Sequence, residues 1–133
     1  LGGASTTTIV STVSGSVFTQ DANGRRMTPQ TTQVIGAGGI IAADSCGSVK
    51  LVSAAGAVNT DATNAITAPA AGNLACAMTV CNVSAGANTI MMKQSTNTKT
   101  FTGSDLALAQ YACVNYISTG TFWLQTSTIG TNS

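Results

Sequence analysis

Apolar residues in this chain fall in short runs, valine, isoleucine and aromatic residues alternating with threonine, serine and asparagine, and glycine or asparagine breaks the runs about every 8 to 12 residues. A period of two with such frequent punctuation predicts strands joined by turns, without helical spacers. Thr7 to Val13 is rich in β-branched residues and stops at Ser14-Gly15; Ser16 to Thr19 follows, and Asp21-Ala22-Asn23-Gly24 carries the Asn-Gly signal of a hairpin turn. Gln33 to Ile35 and Ile40-Ile41 flank a bend at Gly36-Ala37-Gly38-Gly39, Ser48 to Ser53 is the next strand, and Ala65 to Thr67 is a short one before Pro69. In the second half, Ala75 to Val83, Thr89 to Lys93 and Thr96 to Thr102 read as strands. Leu106 to Ile117 reads as one long strand or two joined ones, and Phe122 to Thr126 places Phe122 and Leu124 on one face and Trp123 on the other. About ten short strands in this order predict an all-β, antiparallel β-sandwich of jelly-roll type. The absence of an exact internal repeat argues against a solenoid or a propeller.

Composition changes the picture in one respect. Valine, isoleucine, leucine and phenylalanine total only 27 of 133 residues, whereas alanine numbers 20 and threonine 22. The core is therefore expected to be thin, although a net charge of +1 removes the repulsion that would keep such a chain unfolded. Burial in so small a core offsets little of the entropy lost on ordering the chain, and strands poor in lysine and glutamate leave sheet edges unguarded. Both considerations point to an oligomer.

The inventory of reactive side chains is short. There is no histidine and no glutamate, and the acids are Asp21, Asp44, Asp61 and Asp105. A Ser-His-Asp or Cys-His pair and an imidazole-bound zinc are ruled out, so the chain reads as a non-enzyme without cofactor or metal. Arg25, Arg26, Lys50, Lys93 and Lys99 are too few and scattered for a nucleic-acid face, and no apolar run is long enough for a helical membrane span. Leu1 to Val10 lacks the basic start and apolar middle of a signal peptide. Cys46, Cys76, Cys81 and Cys113 lie among small or apolar residues, which favours reduced core thiols over disulfides. Within one strand, Cys76 and Cys81 project from opposite faces and are not expected to bond to each other.

From Gly47 to Thr126 the order of elements is a strand followed by glycine, Ile66-Thr67 and a Pro69-to-Gly72 turn, then Thr79-Val80-Cys81-Asn82, Asn88-Thr89-Ile90-Met91-Met92, a threonine-rich strand to Gly103, a long apolar strand, and Gly120-Thr121-Phe122-Trp123. This succession resembles a β-domain of bacteriophage virion proteins, found in capsid decoration (cement) proteins and in the heads of tail fibres. The resemblance implies a homotrimeric jelly roll that binds the major capsid protein shell or a host surface without chemistry, assembled in the host cytoplasm and located in the virion. On this reading residues 47–133 form the sandwich domain. Residues 1–46 supply amino-terminal strands or an arm with a hairpin, Leu1 to Gln30 lying outside the resemblance.

In that arm Arg25-Arg26, the only paired charge in the chain, is the candidate contact with an acidic capsid surface, and otherwise an ordinary solvated turn. Asn82-Val83-Ser84 fits a glycosylation acceptor, Thr96 to Thr100 an exposed threonine ladder, and Tyr111, Tyr116, Phe122 and Trp123 read as core fillers first and sugar-stacking residues second. The expected function is capsid decoration. A trimeric tail-fibre head is the alternative, and a secreted adhesin or pilus subunit with true disulfides is the third class.

Overall fold

Every regular element among the described residues is a β-strand. The structure is a computed structural model that describes residues 7–10, 17–20, 26–27, 31–43, 47–72 and 74–129, the first three segments and 128–129 by backbone alone. The chain divides into two units, Leu1–Thr31 and Thr32–Ser133, a division that falls ahead of the expected 46/47 boundary.

In the first unit β1 (Thr7–Val10), β2 (Val17–Gln20) and β3 (Arg26–Met27) form an antiparallel sheet in the order β1-β2-β3. Thr7 pairs with Gln20 and Gln20 with Arg26, so β2 and β3 flank the stretch that carries Asn23-Gly24, which itself lies outside the described residues.

The second unit contains β4 (Gln33–Val34), β5 (Ser48–Ser53), β6 (Val58–Asn59), β7 (Leu74–Asn82), β8 (Ile90–Met92), β9 (Thr98–Lys99), β10 (Leu106–Leu108), β11 (Cys113–Thr119) and β12 (Trp123–Ile129). They make a six-stranded sheet in the order β4-β5-β7-β11-β12-β9 and a three-stranded sheet in the order β10-β8-β6. From β5 to β11 each strand lies in the other sheet from its predecessor. The pairing corrects the expectation of an antiparallel fold: β4 with β5, β5 with β7, β6 with β8 and β9 with β12 are parallel pairs. A chain that visits the second sheet between two strands of the first can return in the same direction, whereas a hairpin must reverse. The long apolar stretch is two strands, β10 and β11, parted by a reversal in which Ala112 N–H donates to the Ala109 carbonyl at 3.1 Å and Tyr111 takes a φ of 62°.

Both sheets feed one core. Val52, Met78, Val80, Val114, Tyr116 and Trp123 point inward from the larger sheet, and Ile90, Met92 and Leu108 from the smaller. Ile35 and Ile41 join them from either side of the glycine bend, where Gly38 has a φ of 70°. A Cβ on Gly39 would stand 2.9 Å from the Gly36 carbonyl oxygen, which explains why the bend is built of glycine. Trp123 is fully buried and donates Nε1–H to the Thr67 carbonyl at 3.0 Å.

The cysteines overturn the reduced-thiol expectation. Cys81 and Cys113 are directly opposed on the antiparallel pair β7 and β11 and form a disulfide, with Cα atoms 4.1 Å apart; Cys76 is also disulfide-bonded. Small apolar neighbours suit a buried thiol and a buried disulfide equally, so local composition cannot tell the two apart. Register decides it, by setting the two Cβ atoms face to face.

Candidate functional site

The inner side of the six-stranded sheet holds polar groups, but they serve the fold. Asn82, at the end of β7, is fully buried and uses all its side-chain hydrogen-bonding capacity. Its Nδ2 donates to the carbonyls of Asn88 (2.8 Å) and Leu108 (2.9 Å), and its Oδ1 accepts from Ser84 N–H (3.1 Å) and Ser84 Oγ–H (2.7 Å). Ser84 Oγ in turn accepts from Ala54 N–H at 2.9 Å, and Asn88 Nδ2 donates to the Ala54 carbonyl at 3.0 Å. The residue that matched a glycosylation acceptor thus joins three connecting segments, and its amide nitrogen is inaccessible to a glycosyl donor in the folded chain.

Tyr116 is also buried, with its hydroxyl unpartnered among the described residues, and burial pushes the phenol above its ordinary pKa. An unsatisfied buried hydroxyl costs roughly 1 to 3 kcal/mol. Tyr116→Phe is therefore expected to leave the chain as stable as before or to stabilise it by about 1 kcal/mol, read from urea midpoints at unchanged m-value. Lost stability would show that the hydroxyl has a partner after all.

Other sequence candidates are dispersed. Thr98 and Thr100 are buried and only Thr96 is exposed, so the expected exposed threonine ladder is absent: β9 turns Thr98 inward beside Trp123. Of the aromatic candidates, Trp123 and Tyr116 are core residues and Phe122 is half-buried, whereas Tyr111 is 65% exposed; Phe101, which sequence reasoning did not single out, is 62% exposed. Arg25 lies outside the described residues, and Arg26 is placed by its backbone in β3. Asp21, Asp44 and Cys46 also lie outside them. Among the described residues no group of three or more metal-ligating side chains occurs, and no helix is long and apolar enough to cross a membrane. An open depression of about 300 Å³ beside β6 and β8, lined by Ala57, Val58, Asn59, Thr89 and Met91, has no titratable group in its lining.

Asp61 caps its own turn, accepting from Thr63 N–H (2.9 Å) and Asn64 N–H (2.7 Å) through Oδ1. Asp105 accepts from Lys93 Nζ at 2.6 Å and from Gln94 N–H at 2.9 Å, and these bonds hold its carboxyl below the usual value. A depressed carboxyl stabilises the fold above its unfolded pKa and loses that contribution as pH falls through the folded one. Stability of the chain is thus expected to drop, relative to Asp105→Asn, as pH falls below 3.8, in melts taken across acid pH.

The broadest candidate surface among the described residues is the outer face of the six-stranded sheet, which sequence reasoning missed. Strand register sets Val49, Thr79, Asn115 and Ser127 in one row across β5, β7, β11 and β12. Ala77, Ile117, Leu124 and Lys99 form the next row. Val49 is 45% exposed, Leu124 39% and Leu74, at the start of β7, 71%. Thr79 Oγ1–H donates to Asn115 Oδ1 at 2.7 Å, and Asn115 Nδ2 donates to Ser127 Oγ at 2.8 Å. Lys99, the one ionisable side chain in the two rows, lies at the rim and is bonded to the Ser95 carbonyl at 2.8 Å. This face is nearly neutral, apolar on one side and polar but internally hydrogen-bonded along its middle, and the Cys81–Cys113 disulfide lies next to it. Such a surface can bind another surface. Compared with known proteins, the chain matches no family model, no curated protein and no solved structure.

Proposed function

We propose that this chain is a virion structural protein, a capsid decoration protein that stabilises an outer shell by bridging its subunits, with the larger unit a trimeric sandwich of jelly-roll type. The observation that carries the reading is the division of the chain at Thr31/Thr32 into a small antiparallel sheet and a larger, disulfide-clamped unit with a neutral outer face. Attachment and presentation can then reside in different parts of one chain. Arg25 and Arg26, both in the first unit, are the proposed contacts with an acidic shell. The mechanism is thermodynamic and needs no chemistry: a ligand that binds the assembled shell but not its separated subunits shifts the equilibrium toward the shell. Particles stripped of the chain are expected to lose their contents at a lower temperature than intact ones, and the purified chain to restore them. Restoration by a chain lacking residues 1–31 would place attachment in the larger unit, and failure of the full chain to bind stripped particles would defeat the reading.

The disulfide favours a second reading, a secreted adhesin or pilus subunit, because disulfides persist in oxidising compartments. On the virion reading the bond forms outside the host cytoplasm, once particles are released. The exposed Phe101 and Tyr111 suit a fibre head that binds a host surface, which copy number per particle separates from decoration.

A further inference from the structure

We infer that copies of this chain meet through the outer face of the six-stranded sheet, packed around a rotation axis. The inference deepens the trimeric part of the proposed function and does not depend on a virion as the destination.

Four observations converge on a second copy as the occupant. The edge strands of the larger sheet, β4 and β9, are two residues long each, and those of the smaller, β10 and β6, are three and two. Strands this short are themselves an edge protection, so edge-to-edge pairing, the route expected from the lack of lysine and glutamate, is poorly available. Face-on packing remains. Secondly, the face is neutral at its centre, and symmetry gives that neutrality its meaning. Residues near a rotation axis meet their own copies, so any ionised group there would face the same charge, whereas Ala77, Ile117 and Leu124 can approach their counterparts freely. A strongly acidic or basic partner would find nothing to pair with.

Thirdly, the polar middle row is already hydrogen-bonded within itself. Thr79, Asn115 and Ser127 hydrogen-bond to one another across three strands, so covering them with a second sheet strands fewer polar groups than burying isolated hydroxyls and amides would. Fourthly, the two strands at the centre of the face, β7 and β11, are joined covalently by Cys81–Cys113, which fixes their separation and register before any partner arrives. Pre-organisation of this kind lowers the entropy lost on association.

The test is the oligomeric state of the full, oxidised chain in solution, by sedimentation velocity at micromolar concentration. Wild-type chain is expected to be an oligomer. Ala77→Lys and Leu124→Lys each bring like charges together at the axis and are expected to weaken association roughly a hundredfold or more, giving monomers. Met91→Lys, on the smaller sheet, is expected to leave the oligomer intact. Circular dichroism and intact mass confirm that each variant is folded and disulfide-bonded. Since Ala77 is exposed, its lysine variant keeps the test available if Leu124→Lys fails to fold. A monomeric wild type, oligomers that survive both lysines, or dissociation caused equally by Met91→Lys would each overturn the inference. A monomeric wild type that still restores stripped particles would separate this failure from that of the proposed function.

Discussion

Replacing Cys81 and Cys113 together by alanine is expected to cost the larger unit about 3 to 4 kcal/mol of unfolding free energy. The two cysteines are 32 residues apart in sequence, and closing a loop of that length removes conformational entropy from the unfolded chain. The loss matters more here than in a leucine-rich protein, because 27 valine, isoleucine, leucine and phenylalanine residues among 133 leave little burial in reserve. A small domain holds only about 5 to 15 kcal/mol in total, so the double variant should melt many degrees lower and unfold at clearly reduced urea. The same shift should follow from reductant added to wild type, with a further loss from the disulfide of Cys76. Peptide mapping without reduction should recover the Cys81–Cys113 pair. A double variant as stable as wild type would mean that the cross-strand bond constrains nothing the sheet does not already fix.

Asn82→Ala is expected to be of similar severity, about 3 kcal/mol or more. The substitution strands the carbonyls of Asn88 and Leu108 and leaves Ser84 N–H and Oγ–H without their acceptor, all at a fully buried point. Each buried group left unmade costs roughly 1 to 3 kcal/mol, while the methyl of alanine recovers almost nothing. Asn82→Asp distinguishes shape from hydrogen bonding. It keeps the volume and the acceptor but removes both donors, and it forces either a buried charge or a proton uptake, so its cost should grow as pH rises above the carboxyl range. Urea titrations at neutral and mildly acid pH read both effects. If Asn82→Ala falls within a few tenths of a kcal/mol of wild type, the connecting segments do not depend on this hub.

Much of the fold was legible because it rests on local pattern. β5 has the bounds that alternation predicts, the glycine cluster is a bend, and Trp123 and Leu124 take opposite faces. What was not legible depends on which strand lies beside which. Parallel pairing follows from a chain that alternates between sheets, and no turn residue announces that a connection crosses over. β6, two residues of Val58–Asn59, is too short to carry any period. Within β5 Lys50 is buried while Val49 is exposed, the reverse of what hydropathy alone would assign to the two positions. A one-residue change of register exchanges the two faces of a strand, and only the neighbouring strands fix that register. The outer face stayed hidden for the same reason. Val49, Ile117 and Leu124 look like core residues one strand at a time, and they become a surface only once four strands are aligned. Similarly, the threonines of β9 suggested an exposed ladder, whereas Thr98 lies against Trp123 in the pairing with β12.

The most direct test of the structural-protein account is the copy number of this chain in purified particles from a culture that produces it, measured by quantitative mass spectrometry against the major shell protein. Decoration of a shell predicts hundreds of copies per particle, removed by conditions that leave the shell intact. Absence of the chain from particles, with recovery in the secreted or envelope fraction, would contradict it.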